Sequence, residues 1–448
     1  MTSDPLAPLD LAFWNIDSPE HPMHLGALGV FAAHSPTAGA HAADLLAARA
    51  AAVAGLRMRI RDTWAPHLLL RPSAFGGAAR EPYPGFDPLD HVVLHAPAGD
   101  FQAAAGRLMQ YPLDRERPPW EAHVLPGEDG VSFAVLFKFH HALADGLRAL
   151  TLAAAVLDPL DAPAPRPRRA EEPPGGGLLP DVRRLPGLLR GALSDAGRAL
   201  DIGASLAVSG LAVRSSPALT AEPSGTRRTA GAVVDLDDVH RIRKSAGGTV
   251  NDVLIAVVAG ALRRWLDGRG DSADGVAPRA LIPVSRRRPR TALPQGNRLS
   301  GYLIRLPVGD PDPLSRLDTV RTAMDRNKEA GSDRGAGAVA LLADHVPALG
   351  HRLAGPIAAQ AARLWFDLLV TSVPLPGVPL RLGGHELTAV HPYAPLAPGQ
   401  SLAVAVSTYR GKVHYGLVAD AEAIPDLDRL AEALSEEVET LLTACPWG

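Results

Sequence analysis

The most informative stretch of the chain joins a strand-like segment to a helix-like one. It reads Phe137-Lys138-Phe139-His140-His141-Ala142-Leu143-Ala144-Asp145-Gly146. From Ser132 to Phe139 apolar residues alternate with period two, which predicts a strand with Phe133 and Val135 on one face. Apolar spacing from Ala142 to Leu157 predicts a helix. A histidine at such a junction is held by a rigid element, as a positioned base requires.

The residue types in this stretch suit acid–base chemistry. Histidine near its unperturbed pKa can take a proton from a hydroxyl at neutral pH and return it to a leaving group. Asp145 follows His141 by about one helical turn, so it can orient the imidazole or pair with a cation that holds the loop. Gly146 lets the backbone turn closely. The predicted catalytic residues are therefore His141, His140, Asp145 and Gly146.

Three other kinds of site fit this stretch less well. Adjacent histidines point in different directions on regular backbone and no HExxH occurs, so no metal site is predicted. Gly-x-Ser-x-Gly is absent and Cys445 lies near the end of the sequence, which argues against an enzyme with a nucleophilic serine or cysteine. Phosphate-binding glycine loops are also absent. The sequence favours catalysis by a general base, with no covalent enzyme intermediate.

Bulk properties narrow the class of protein. The 448 residues, 46% hydrophobic and 21% charged, suit two or three globular domains. A net charge of −3 provides no basic field for nucleic acid. One cysteine, Cys445, excludes an internal disulfide. No signal peptide or membrane span is visible, so a cytoplasmic protein is expected, soluble or peripheral to a membrane.

Composition divides the chain into three zones. Residues 1–158 and 227–448 mix strand-like and helix-like segments, which predicts two α/β domains. Residues 159–226 are predicted to be a linker, because Asp158 to Pro174 is rich in proline and charge. Leucine spacing and arginines in residues 178–216 indicate basic amphipathic helices there. Such helices can lie on a membrane surface or pack on the body of the protein.

Further elements are predicted from periodicity in both domains. Helices are expected at Phe101–Met109, Val250–Trp265 and Leu427–Leu442, with Asn251 near the N-cap of the second. The predicted strands are Glu121–Leu125, Ala280–Val284, Gly301–Val308, Ser401–Thr408 and Lys412–Val418.

The motif HHxxxDG resembles the signature of the CoA-dependent acyltransferase superfamily, and other stretches narrow the resemblance. Taken in order along nearly the whole chain, they resemble bacterial wax ester synthase/diacylglycerol acyltransferases. These stretches are Pro5–Asp10, Pro22–Leu28, Pro112–Arg115, Arg117–Glu121, Asn251–Leu262, Pro283–Ser285 and Gly296-Asn297. One motif departs from that family: where Ser-Asn-Val-Pro-Gly-Pro is usual, this chain has Thr371-Ser372-Val373-Pro374-Leu375-Pro376-Gly377.

The resemblance implies an α/β (α+β) fold of two chloramphenicol-acetyltransferase-like domains, with the active site in a tunnel between them. It implies that His141 is the base, that His140 supports the loop, and that Asp145 is bound to an arginine. Arg57 and Arg286 are the candidate arginines. Acyl-CoA is expected as a substrate, with no cofactor.

Four further residues are predicted at the substrate site. Asn251 and Asp252 either cap their helix or line the tunnel, and the residues alone leave both open. Pro118 and Trp120 cannot transfer a proton, so they are expected to shape packing around the substrate rather than to catalyse.

The resemblance implies transfer of a long-chain acyl group from acyl-CoA to diacylglycerol, to a fatty alcohol, or to both. Contact with a membrane or lipid droplet is expected. Two alternatives remain: an acyltransferase acting on a polyketide or other metabolite hydroxyl, and an inactive scaffold at a lipid surface.

Overall fold

The computed structural model describes residues 3–63, 77–159, 215–285, 299–330 and 366–445. Within these ranges it contains two six-stranded mixed sheets and one three-stranded antiparallel sheet. Strands and helices are numbered here in chain order. The small sheet consists of Asp4–Pro5 (β1), Gly77–Pro82 (β4) and Met58–Thr63 (β3).

The first large sheet carries the histidine motif near its centre. All of its neighbouring strands run antiparallel except for the β5–β6 pair. Across the sheet the strands are Arg381–Leu382 (β12), His385–Tyr393 (β13), His24–Ala32 (β2), Ser132–His140 (β7), Trp120–Pro126 (β6) and Val92–Leu94 (β5). Phe133 and Val135 lie in one core and Ala134 and Leu136 in another, which confirms the predicted alternation in β7.

The second large sheet forms the centre of the C-terminal domain. Across it the strands are Leu299–Arg305 (β10), Arg279–Ser285 (β9), Leu368–Ser372 (β11), Leu402–Tyr409 (β14), Lys412–Asp420 (β15) and Arg227–Asp235 (β8). Among the described residues, the α-helices are Pro8–Ile16 (α1), Ala38–Ala50 (α2), Phe101–Met109 (α3), Gly146–Ala154 (α4), Leu236–Ala246 (α5), Val250–Gly268 (α6), Pro313–Ala330 (α7) and Leu427–Ala444 (α8).

The C-terminal zone contributes two strands to the sheet of the N-terminal domain, which departs from the predicted domain bounds. Strands β12 and β13 come from the C-terminal zone, yet they extend the N-terminal sheet by pairing with β2. Residues 215–226 depart from the predicted linker too, because Leu219 is fully buried in the C-terminal core. Backbone hydrogen bonds between strands decide to which domain a segment belongs, even when the segment lies far away in the sequence. The remainder of the predicted linker up to residue 214 lies outside the described residues, apart from Pro159.

Most predicted elements are present, with shifted ends. The helix at Phe101–Met109 has the predicted bounds, and the predicted strands match β6, β9, β10, β14 and β15 to within a few residues. The helix predicted from Ala142 begins only at Gly146. Asp145 is its N-cap, and the amides of Leu143 and Ala144 instead turn back to the His140 carbonyl.

Within the described ranges, no single helix is long and apolar enough to cross a membrane. The pair α5 and α6 meets the length and composition requirement only when taken together across a bend of 100°.

A buried ion pair on β6 and β7 gives a pH-dependent contribution to stability. The Lys138 ammonium donates to Glu121 at 3.0 Å and to the Tyr111 carbonyl at 2.9 Å. Burial acts to raise the pKa of Glu121, but hydrogen bonds and charges of His123 and Lys138 outweigh it and lower that pKa to about 2. A depressed carboxyl pKa stabilises the fold above the unfolded pKa, and this stability is lost as the pH falls toward the folded one.

We therefore expect the free energy of unfolding to fall between pH of about 4.5 and about 2, with Glu121 contributing to the slope. Urea titrations across that range should give a shallower slope for Glu121→Gln than for the wild type. The exposed Glu432 on α8 provides a control, since Glu432→Gln should keep the wild-type slope. Equal slopes for Glu121→Gln and wild type would contradict the assignment.

Candidate active site

His140 ends β7, and its ring is hydrogen-bonded through Nδ1 and lies close to a carboxylate through Nε2. Its Nδ1 accepts a hydrogen bond from the Ala142 amide at 3.0 Å, so the ring proton is on Nε2. That Nε2 faces the Asp17 carboxylate at 3.6 Å. The His140 amide donates to the Pro119 carbonyl at 2.9 Å. His140 is therefore committed to holding the loop, as expected for the first histidine.

His141 begins the loop and is held differently. Its amide donates to the Met23 carbonyl at 2.8 Å. Its ring stacks on Phe13, with 4.0 Å between centroids and 21° between planes. The residue is half-buried. Burial lowers the pKa of His141 below the ordinary histidine value, which keeps the imidazole neutral at pH 7.

Other groups act on the same imidazole in the opposite direction. A hydrogen bond from the ring to the residue's own backbone, together with the charges of Asp10 and Asp145, acts to raise the pKa of His141. A neutral imidazole keeps a lone pair on one of its ring nitrogens, which is what a general base requires.

Asp145 and Gly146 shape the far end of the loop. The Asp145 carboxylate accepts the Arg148 amide at 2.8 Å and is the N-cap of α4, where a negative charge is favoured. A Cβ at Gly146 would lie 3.1 Å from Cγ2 of Val373. The close approach brings the altered motif Thr371–Gly377 of the C-terminal domain against the histidine loop.

The arginine at this loop is Arg80 on β4. Its guanidinium donates to the Ala142 carbonyl at 2.6 Å and to Asp10 at 2.6 Å, and Arg80 and Asp10 are both buried. The candidate Arg57 is exposed at the end of a 3₁₀ turn. The other candidate, Arg286, lies outside the described residues.

The sequence analysis missed Arg80, Phe13 and Asp17. Nothing in the sequence singles out Arg80, because its contact with Ala142 spans 62 positions. Phe13 lies on α1 and Asp17 directly follows it, both at helical spacing from Asp10, and that spacing was the available signal.

Asp252 belongs to a capping box at the start of α6. The Thr249 amide donates to Asp252 at 2.8 Å, and the Asp252 amide donates to the Thr249 hydroxyl at 3.2 Å. The N-cap is therefore Thr249, and the prediction of Asn251 near that position is displaced by two residues. Asn251 is half-buried in the first turn. The capping contacts account for Asp252 and leave the predicted substrate role of Asn251 a prediction.

We expect Thr249→Ala to lower the free energy of unfolding by about 1 kcal/mol, with unchanged turnover of the folded protein. Asp252→Ala should behave the same way, since it removes the other half of the box. Chemical unfolding and steady-state kinetics of both variants test this. A large loss of turnover in Asp252→Ala alone would instead assign it to the substrate site.

Pro118 and Trp120 lie in the core rather than at an open surface. Trp120 is 2% exposed, and its indole nitrogen donates to the Leu56 carbonyl at 2.7 Å. Its ring stacks on His91 with centroids 4.8 Å apart. Both side chains pack in the core as expected, and their segment supplies the Pro119 carbonyl that binds the His140 amide. The substrate contact of Pro118 and Trp120 stays a prediction.

Among the described residues, no group of three histidine, cysteine, aspartate or glutamate side chains is arranged to hold a metal ion. The site instead consists of one neutral, half-buried histidine on a loop held by backbone and ionic contacts. Such an arrangement can take a proton from a hydroxyl and return it to a leaving group.

Two domains of one family match the chain in sequence. Residues 6–254 match the wax ester synthase/diacylglycerol acyltransferase catalytic domain. Residues 295–442 match the C-terminal domain of the same family.

Individual relatives agree with these matches. A probable diacylglycerol O-acyltransferase of Mycobacterium tuberculosis, tgs2, is 32% identical over 98% of this chain and 98% of its own. Among solved structures, the wax ester synthase/diacylglycerol acyltransferase from Marinobacter aquaeolei has a TM-score of 0.71 at 23% identity, covering 98% of this chain and 99% of that one. A trichothecene 15-O-acetyltransferase from Fusarium sporotrichioides has a TM-score of 0.62 at 11% identity, covering 98% and 95%. These structural likenesses confirm the predicted fold of two chloramphenicol-acetyltransferase-like domains.

Proposed function

This chain belongs to the wax ester synthase/diacylglycerol acyltransferase family and is an acyltransferase, and we propose that His141 is its general base. In this proposal a long-chain acyl group passes from acyl-CoA to the hydroxyl of a diacylglycerol, a fatty alcohol, or both. The relative tgs2 is named a probable diacylglycerol O-acyltransferase, and the Marinobacter protein is named for both reactions. Both names support the proposed acceptors.

One observation carries the choice of base. The motif holds two adjacent histidines, but His140 uses Nδ1 to bind the Ala142 amide and turns Nε2 toward Asp17. With Nδ1 accepting the Ala142 amide and the ring proton on Nε2, His140 has no free lone pair for the proton of the acceptor hydroxyl. Burial lowers the pKa of His141, so its imidazole stays neutral and keeps a lone pair that can accept a proton. His141 is therefore the histidine whose environment suits proton abstraction.

The reaction follows from that assignment. Nε2 of His141 takes the acceptor hydroxyl proton as the oxygen attacks the thioester carbonyl of acyl-CoA. An ester bond forms, the carbon–sulfur bond breaks, and the imidazolium returns its proton to the CoA sulfur. The products are an ester and free CoA, with no acyl group left on the protein. The carboxylates of Asp10 and Asp145 favour the transient imidazolium.

The position of the altered motif Thr371–Gly377 supports the proposal that this motif influences which acceptor the enzyme uses. Its Val373 contacts Gly146 of the histidine loop, and its carbonyl accepts the Ser407 hydroxyl at 2.8 Å. Where the family usually has asparagine and glycine, this chain has Ser372 and Leu375. A changed amide and an added side chain beside the catalytic loop alter which acceptors fit. The same observation keeps a polyketide or other metabolite hydroxyl as the second candidate.

We also propose that the protein works in the cytoplasm in peripheral contact with a membrane or lipid droplet. Both lipid acceptors are water-insoluble, so a lipid surface is where the enzyme meets them. The basic amphipathic helices predicted in residues 178–216 lie outside the described residues.

The experiment supplies purified protein with palmitoyl-CoA and one acceptor at a time: dioleoylglycerol, hexadecanol, or none. Free CoA thiol and lipid products are followed together. The proposal predicts thiol release only with an acceptor, and an equal amount of triacylglycerol or wax ester. If folded protein releases no thiol with either lipid acceptor, a metabolite acceptor or an inactive scaffold at a lipid surface would be favoured over this proposal.

A further inference from the structure

One face of α1 is directed at the histidine loop. Asp10, Phe13, Trp14 and Asp17 follow the spacing i, i+3, i+4, i+7, which places them along one side of the helix and the residue after its end. Each of the four touches the loop or the residue that holds it. A face of mixed charge and aromatic rings is unusual for a helix that only fills a core.

The face holds His141 at two points. Phe13 stacks on the imidazole with centroids 4.0 Å apart. Asp17 accepts the Met23 amide at 2.7 Å, and the Met23 carbonyl accepts the His141 amide at 2.8 Å. The ring is thus positioned by Phe13, and the backbone by Asp17 through Met23.

The same face holds the neighbouring parts of the loop. Trp14 meets the His140 ring edge-on, with centroids 4.9 Å apart, and Asp17 lies 3.6 Å from His140 Nε2. Asp10 pairs with Arg80, which in turn binds the Ala142 carbonyl.

The helix is itself anchored to its surroundings. The Trp14 indole nitrogen donates to Asp62 on β3 at 2.8 Å. The Arg115 guanidinium lies 3.8 Å from the centroid of the Trp14 ring. The face is therefore a rigid support rather than a loose cover.

We propose that this face of α1 is the positioning surface for the catalytic base, and that Phe13 is the positioning residue that holds the plane of the His141 imidazole. This inference rests on the proposed role of His141. Phe13 itself exchanges no proton. Its effect is to keep Nε2 aimed at the acceptor hydroxyl, since an error of about 1 Å can cost about 100-fold in rate.

Phe13 also covers the imidazole against water. The titratable and charged groups around His141 are Asp10 on α1, Asp145 at the start of α4, His140 on β7, Arg80 on β4 and Arg148 on α4. A substitution at Phe13 leaves all of them in place. A change in the pH dependence of turnover in such a variant therefore reports the loss of the ring. Exposure to water raises the pKa of a buried histidine, so the acid limb should move to higher pH.

The test compares Phe13→Leu, which stays apolar but loses the ring and part of the side-chain volume, with Phe13→Tyr, which keeps the ring. Phe31→Leu is the matched control, because Phe31 stacks on Phe133 with centroids 5.0 Å apart but outside the histidine loop. The kcat, KM and pH profile of kcat are measured with palmitoyl-CoA and the preferred acceptor. Thermal unfolding and an NMR titration of the His141 ring accompany them.

We expect kcat of Phe13→Leu to fall about 10- to 100-fold with KM nearly unchanged, and its acid limb and the His141 titration to move to higher pH. Phe13→Tyr and Phe31→Leu should keep the wild-type kcat and pH profile. Wild-type kinetics in Phe13→Leu, or an equal loss in Phe13→Tyr, would overturn the inference. His141→Ala in the same series separates the two claims: if this variant keeps its activity, the proposed role of His141 as the base fails, whatever the result at Phe13.

Discussion

His141→Ala is expected to lose about 10²- to 10⁴-fold in kcat, because the acceptor hydroxyl then has no group to take its proton. KM for acyl-CoA should change little, since the imidazole acts on the reacting hydroxyl. The half-buried side chain contributes limited packing, so the variant should remain folded. The measurement is steady-state CoA release, with circular dichroism and thermal unfolding of the same samples.

His140→Asn is the matched variant. An asparagine oxygen can accept the Ala142 amide in place of Nδ1, so the loop keeps its hydrogen bond. We expect a much smaller loss of kcat than in His141→Ala. If His141→Ala kept near wild-type turnover while His140→Asn lost it, the roles of the two histidines would be reversed.

Arg80→Met is expected to cost about 3–5 kcal/mol in the free energy of unfolding, because it removes the cation that pairs with the buried Asp10 carboxylate. Asp10 is fully buried and Arg80 is 4% exposed, so water cannot replace the lost ion pair. The Ala142 carbonyl loses its donor in the same step. Turnover of the protein that remains folded should also fall, since the loop loses a support. Urea unfolding at pH 7 measures the first effect.

Two variants isolate the cause. Arg59→Met removes an arginine of the same small sheet whose partner Glu81 is partly exposed, and a pair of that kind is worth at most about 1 kcal/mol. The double variant Asp10→Leu/Arg80→Met removes both charges and should recover most of the stability. A loss in Arg59→Met as large as in Arg80→Met would contradict the special role of Arg80.

Local patterns account for the parts of the fold that the sequence predicted. The alternation in β7 and the spacing in α3 depend on neighbours a few positions away, so both elements were found from the sequence. The ends of the helices and strands were harder to predict from local patterns. The helix after the histidines starts at Gly146 because a side-chain cap and a turn at His140 compete with helix propensity.

The addition of β12 and β13 to the N-terminal sheet could not be predicted from the sequence patterns. Strand β13 pairs with β2 in a register that joins His391 to Leu28, and these two residues are far apart in the chain. Periodicity shows that a segment is a strand but not which sheet it extends. Composition predicts the domain bounds 227–448, but it carries no information about which strands pair.

The same limit applies to the site. The histidine motif lies in one continuous stretch and could be assigned to acid–base chemistry from the sequence. Its supports come from α1 and from β4, which pack on the loop only after folding. Asp252 shows the converse: the family resemblance suggested a substrate role, while its described contacts form a capping box.

The most direct measurement of the central claim is a single turnover with the protein in excess over palmitoyl-CoA. The two are mixed first without acceptor, and dioleoylglycerol is added later, while thiol and protein mass are followed. Direct transfer with His141 as base predicts no thiol release and no acylated protein before the acceptor, then thiol and triacylglycerol in equal amounts. Stoichiometric thiol release before the acceptor, with an acyl group on the protein, would contradict it.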